Sequence, residues 1–256
     1  QGSNPMGGSA PWAPSNVPGV LSEYVLRPMT KSQIDEVVEG FAQAARYCKQ
    51  AGLHGVEVHA AHGYLVQQFL SPNSNRREDD YGGSLANRYR ILFEIIDGVR
   101  ESCRDDFMLG VRLSPERFGM SLDEVTQIAQ QLFNEDKIDF LDMSLWDVFK
   151  EPNEEEKQGR TLLSYFTDLD RQNVRLGIAG KIRTPEEAER ALAGGVDWIM
   201  LGRAAILHHD FPAQQQKNPS FSPITLPVPR EHLEKEGVSE KFIEYLSAWK
   251  GFVADN

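Results

Sequence analysis

Five short apolar runs, HGVEVH (54–59), FMLGVRL (107–113), DFLDMSL (139–145), VRLGIA (174–179) and DWIML (197–201), are separated by stretches with helical periodicity. This alternation constrains the fold more than any other feature. Strands that alternate with helices build a parallel sheet covered by those helices, either an open doubly wound sheet or a closed barrel.

The helical stretches carry their own start and stop signals. Thr30 and Gln33 form a capping box, and Ile34, Val37, Val38, Phe41, Ala44, Ala45 and Cys48 then recur at helical spacing until Gly52. A second helix starts at Ser84 with Leu85, Tyr89, Leu92, Phe93, Ile96 and Val99 on one face, and a third is capped by Ser121 and Glu124. Thr184, Pro185 and Glu187 open a fourth that Gly194 and Gly195 stop. The long connection after residue 145 has helical content around Leu162 to Phe166 whose bounds the pattern does not set.

Each β/α unit needs roughly 30 residues. Residues 1–29, rich in Gly, Pro, Ser and Asn, read as a loop or disordered lead-in, too short for three further units. The chain is therefore an open five-stranded sheet or a (β/α)8 TIM-barrel type without its front third. The tail favours the second: residues 213–256 are expected to add one helix, over 237–253, and no strand. The partial barrel then spans 30–212, with an α/β fold.

Composition is that of an ordinary globular chain, 40% hydrophobic and 25% charged. A net charge of -11 and a pI near 5.1 argue against binding nucleic acid or an anionic membrane. There is no apolar run of about 18 residues and no signal or transit pattern at the start, so a cytoplasmic protein is expected. Cys48 and Cys103 lie far apart in helical stretches and suggest small core residues, with no disulfide or metal spacing.

Three sets of residues carry chemistry. Ala179-Gly180-Lys181 follows the fourth run, and Gly202-Arg203 follows the fifth. Glycines at strand ends are often turns alone. Two such ends in succession, a helix start and an arginine favour a phosphate cradle of the kind that barrels build after their last strands. His59, His62 and Tyr64 stand together at the end of the first run. They read as hydrogen-bonded loop histidines, as a metal pair with Glu57, or as donors to a carbonyl or nitro oxygen beside a hydroxyl that delivers a proton. The metal reading lacks a further ligand at a familiar spacing. Arg112, in mid-strand, needs a partner: Glu57, Asp142, a bound anion or the electron-rich edge of a flavin. The loop SPNSNRREDDYGGS (71–84) reads as salt-bridged and structural.

The stretch GLHGVEVHAAHGYLVQQFLSPNSNRREDDYGGSLANRYR, with GVRLSPE, AGKIRTPEEAE and IMLGRAAI, resembles the old yellow enzyme, or NADH:flavin oxidoreductase, family, in its bacterial branch with paired histidines. The likeness runs from about Thr30 to Pro212. It implies an eight-stranded barrel that holds FMN, is reduced by NADH or NADPH, and passes the electrons to an activated, enone-like alkene. By motif, His59 and His62 would bind the substrate oxygen and Tyr64 would donate the proton. Arg112 would stabilise the reduced flavin, and Ala179, Gly180, Lys181, Gly202 and Arg203 would hold its phosphate. The five runs would be the fourth to eighth strands, with no counterpart of the family's first three. Two other readings stay open: an incomplete barrel that self-associates through open sheet edges and binds flavin weakly or not at all, and a phosphate-binding isomerase or aldolase barrel. The latter leaves His59, His62 and Tyr64 without a role.

Overall fold

The computed structural model describes residues 11–17, 26–218 and 220–254. A short parallel pair, β1 (Trp12–Ala13) and β2 (Arg27–Pro28), precedes α1 (Lys31–Gln50) and β3 (Gly55–Ala60). Then come α2 (Leu65–Leu70), α3 (Leu85–Cys103), β4 (Met108–Leu113), α4 (Leu122–Glu135), β5 (Phe140–Ser144) and α5 (Ser164–Thr167). The chain continues through β6 (Arg175–Ala179), α6 (Pro185–Ala193), β7 (Trp198–Met200), α7 (Arg203–Leu207), α8 (Phe211–Lys217), α9 (Arg230–Lys235) and α10 (Glu240–Ser247). The five expected strands form one parallel sheet in chain order, β3-β4-β5-β6-β7. The α/β expectation therefore holds, each strand within a residue or two of its apolar run.

The chain divides into two compact units, residues up to Leu145 with Phe149–Gly177, and Trp146–Val148 with Ile178 onward, the cut passing through β6. In the first unit, strand alternation sends Val58 and Ala60, Leu109, Val111 and Leu113, and Leu141 and Met143 to one side of the sheet, all almost fully buried. Ile34, Ala42 and Ala45 of α1, Ile91, Leu92, Ile95 and Ile96 of α3, and Ile128, Ala129 and Phe133 of α4 are buried with them. The capping boxes at Thr30–Gln33 and Ser121–Glu124 form as the sequence indicates, and Ser84 accepts from the Asn87 N–H at the start of α3. Satisfying those first-turn N–H groups fixes where each helix begins, and so where the preceding loop must end.

The charged loop 71–84 is structural. Arg77 grips Asp79 through two bonds (2.9 and 2.6 Å) and donates to the carbonyls of Pro14 (3.0 Å) and Met29 (2.6 Å). Asn75, buried, donates to the carbonyls of Phe69 and Tyr81. These contacts place part of the expected loop lead-in against the first unit: Trp12–Ala13 and Arg27–Pro28 are paired strands. Residues 1–10 and 18–25 of that lead-in lie outside the described residues.

In the second unit the third capping box, Thr184–Glu187 with Pro185 at the first position, opens α6. The extension from 213 differs from the single helix expected. It carries α9 and α10, which share a core of Leu207, Val228, Leu233, Ile243, Leu246 and Phe252. Val228 pairs with Val253, its N–H bonded to Phe252 O (3.0 Å) and its carbonyl to Ala254 N (2.8 Å). Six residues with one buried side chain, Leu233, give α9 no periodicity to read.

Candidate active site

The parallel register sets the site. His59 on β3 pairs with Arg112 on β4, and Arg112 pairs with Asp142 on β5. Paired residues of parallel strands point to the same face, so a histidine, an arginine and an aspartate form one row on the side of the sheet opposite Val58, Val111 and Leu141. Arg112 Nε lies 3.0 Å from Asp142 Oδ2, and the Asp142 side chain has 0% exposure. The contact is ionic without hydrogen-bond alignment: Arg112 Nε and both Asp142 oxygens are buried and carry no hydrogen bond. Burial pushes the Asp142 carboxyl above its ordinary range, and Arg112 opposes that push. Of the partners the sequence offered Arg112, Asp142 is the one engaged.

Past the end of β3 the chain turns sharply. His62 has a φ of 58° and Gly63 one of 77°, both left-handed. Two amides on α2 hold this turn. Gln67 accepts from Gly63 N (3.2 Å) and donates to Ser114 O (3.2 Å), while Gln68 donates to Gly63 O (2.8 Å). The turn brings the His62 ring centroid 5.0 Å and the Tyr64 ring centroid 5.2 Å from that of His59. The three side chains singled out in the sequence thus gather at one strand end. Tyr64 is exposed, and its hydroxyl has no hydrogen-bond partner among the described residues.

His62 Nε2 lies 2.7 Å from Ser144 Oγ, and Arg112 Nη2 lies 3.4 Å from the same oxygen. Partial burial, and after it the Arg112 charge, His59 and Arg117, depress His62 to about 4. Burial and then Arg112 also lower His59. Both imidazoles are neutral near pH 7, the state in which each ring has one N–H donor and one acceptor.

In the second unit, Ala179 ends β6, half-buried, and Gly180 and Lys181 follow with φ values of 157° and 51°. A Cβ on Gly180 would come within 2.9 Å of the backbone at Trp146 and Asp147, so the glycine is required by that close approach. Lys181 reaches Asp147 at 3.2 Å. Gly202 and Arg203 behave differently. Nothing lies within 4 Å of where a Gly202 Cβ would be. The exposed Arg203 guanidinium lies 5.7 Å from the Trp249 ring centroid, and no carboxylate among the described residues lies within 4.0 Å of it.

Glu57 does not complete a metal cluster with His59 and His62. Among the described residues the groups with three ligand atoms within 4.8 Å are His208, His232 and Glu236, and His209, Asp210 and Glu236. One ring nitrogen of each histidine is engaged: His208 Nε2 accepts from Ile224 N (2.9 Å), His232 Nε2 donates to Leu207 O (2.7 Å), and His209 Nδ1 bonds Glu236 (2.8 Å). They staple the extension. No helix among the described residues is long and apolar enough to cross a membrane.

The sequence reading passed over Ser144, Gln67, Gln68 and α2 itself. The signal for Ser144 was present, since it lies two residues after Asp142 on the same strand face.

Comparison with known proteins identifies the family. The chain is 34% identical over 221 residues to an NADH oxidase of Thermoanaerobacter brockii, covering 82% of this chain and 33% of that one. It is 36% identical over 205 residues to an NADPH dehydrogenase of Geobacillus sp. (strain WCH70), covering 78% and 59%. Among solved structures, a morphinone reductase variant in complex with tetrahydroNAD superposes with a TM-score of 0.67 at 28% identity, covering 84% of this chain and 62% of that one. The chain thus spans between a third and two thirds of the length of these relatives. Residues 4–220 match the NADH:flavin oxidoreductase / NADH oxidase family, and the chain belongs to that family.

Proposed function

We propose that this chain carries the substrate-oxygen donors and the proton donor of an FMN-dependent NAD(P)H oxidoreductase of the ene-reductase type, acting on C=C bonds conjugated to a carbonyl or nitro group. The observation that carries the reading is the gathering of His59, His62 and Tyr64 beside the Arg112–Asp142 pair. The residues present fit FMN. Arg112 has guanidinium donors left over from its single ionic contact, suited to the electron-rich pyrimidine edge of a flavin. Arg203 without a carboxylate, beside open space at Gly202, suits a phosphate, with Ala179, Gly180 and Lys181 contributing at the neighbouring strand end.

When bound, FMN supplies two-electron chemistry, taking hydride from NADH or NADPH and giving it to an acceptor. The neutral rings of His59 and His62 each donate to the acceptor's oxygen and stabilise the negative charge that develops there as the alkene is reduced. Tyr64 delivers the proton to the alkene carbon that hydride does not reach. A cytoplasmic setting goes with this reading, since Cys48 and Cys103 are both free. The test is turnover: the FMN-loaded protein is expected to oxidise NADPH or NADH in step with loss of 2-cyclohexenone. NAD(P)H consumption that no enone or nitroalkene accelerates would refute the ene-reductase reading.

A further inference from the structure

We propose that Ser144 is a positioning residue that fixes the tautomer of His62, holding the ring proton on Nδ1 and leaving Nε2 as an acceptor. The inference rests on the reading of His62 as a donor to the substrate oxygen, and it specifies which nitrogen donates.

The argument is one of hydrogen-bond supply. Ser144 Oγ has two neighbours within hydrogen-bond distance, His62 Nε2 at 2.7 Å and Arg112 Nη2 at 3.4 Å. A guanidinium has donors only, so Arg112 can meet nothing but a lone pair of the hydroxyl oxygen. Even at 3.4 Å its charge turns the hydroxyl dipole, oxygen toward the guanidinium and hydrogen away. Asp142, 3.0 Å from Nε, holds the guanidinium beside this contact. The Ser144 hydrogen then has one acceptor within reach among the described residues, His62 Nε2. In the opposite arrangement, with Nε2–H donating to Oγ, the half-buried hydroxyl would face two donors and its own hydrogen would have no acceptor. Leaving that bond unmade disfavours the second arrangement, and the two tautomers otherwise differ little in free imidazole. The low proton affinity of His62 keeps the ring neutral, so one tautomer, and not the doubly protonated ring, is what Ser144 selects.

The backbone supports the same end. The left-handed turn at His62 is held by Ser114 Oγ on its N–H (3.3 Å) and by Gln67 and Gln68 on Gly63, so the ring enters the Ser144 contact from a fixed direction. With Nε2 occupied by Ser144, Nδ1–H is the one donor the ring has left for a ligand.

The experiment is a long-range 1H–15N correlation spectrum of the full chain labelled at its histidines, recorded near pH 7 without added flavin. There are six histidines, and His62→Asn identifies the pattern by its loss. The wild-type pattern expected for His62 is protonated Nδ1 and bare Nε2, and in Ser144→Ala the proton is expected to move largely to Nε2. Ser144→Thr, which keeps the hydroxyl, is expected to keep the wild-type pattern. A wild-type His62 protonated on Nε2 overturns the proposal without any variant. So does a Ser144→Ala spectrum identical to wild type. Because the spectrum needs neither flavin nor substrate, its outcome is separate from enone turnover, which tests the functional reading on its own.

Discussion

Arg112 and Asp142 sit in register on adjacent strands with 3.0 Å between Nε and Oδ2, and no part of the aspartate side chain reaches solvent. Removing one member strands the other's charge. Arg112→Ala is expected to cost about 3–5 kcal/mol in urea unfolding near neutral pH. The Asp142 carboxyl is raised in the fold, so the native state binds more protons than the unfolded chain between the ordinary and the raised value, and stability falls as pH climbs through that window. Losing Arg112 widens the window upward, and the deficit of the variant is expected to be smaller at pH 4 than at pH 8. The double variant Arg112→Leu with Asp142→Leu should recover most of the loss. An Arg112→Ala protein as stable as wild type at both values would deny that the pair is coupled.

His62 gives the opposite sign. Its value in the fold is about 4, below the ordinary 6.5. The unfolded chain therefore binds more protons between those values, and the contribution of the neutral ring is full above pH 6.5 and is lost as pH falls toward 4. Unfolding midpoints of wild type and His62→Asn are expected to converge across that interval on acidification. A constant offset from pH 7 to 4 would show that His62 does not titrate low.

Gly180 and Gly202 are expected to part company. Alanine at Gly180 meets the 146–147 backbone at a φ of 157° and should destabilise by about 1–3 kcal/mol. Alanine at Gly202 meets nothing and should change stability by less than about 0.5 kcal/mol. Its methyl group enters the space assigned to the phosphate, so FMN affinity, followed by flavin fluorescence, is expected to fall while affinity for riboflavin stays constant. Equal weakening toward both flavins would remove the phosphate from that site.

Tyr64→Phe removes one hydroxyl that has no partner among the described residues, so the fold should be untouched. In stopped-flow kinetics the variant is expected to reduce its flavin with NADPH at the wild-type rate and to reoxidise with 2-cyclohexenone at least about 100-fold more slowly, the range of a positioned general acid. Equal slowing of both half-reactions would reject the proton-donor role.

Strand limits and three capping boxes were legible because they depend on local signals: period-two and period-3.6 burial, and a side-chain oxygen three residues before an N–H. His59, His62 and Tyr64 were legible as a group because they fall within six residues at and just past the end of one strand. Ser144 could be placed on the strand face of Asp142, but its link to His62 was not legible, because that link spans 82 residues and depends on β5 lying in register beside β4. Alpha2 was hidden by its length and by two buried glutamines, Gln67 and Gln68, whose amides bond backbone groups of other segments. Gly180 was legible as a strand-end glycine, but the close backbone approach at 146–147 that requires it was not, because that contact comes from a segment distant in sequence.

The most direct test of the flavin assignment is a fluorescence titration of the full chain with FMN and, in parallel, with riboflavin. The expected result is saturable binding of one FMN per chain, at least about 100-fold tighter than riboflavin, as a charge-assisted phosphate contact of about 3 kcal/mol requires. Binding of neither flavin, or of both with the same affinity, would contradict it.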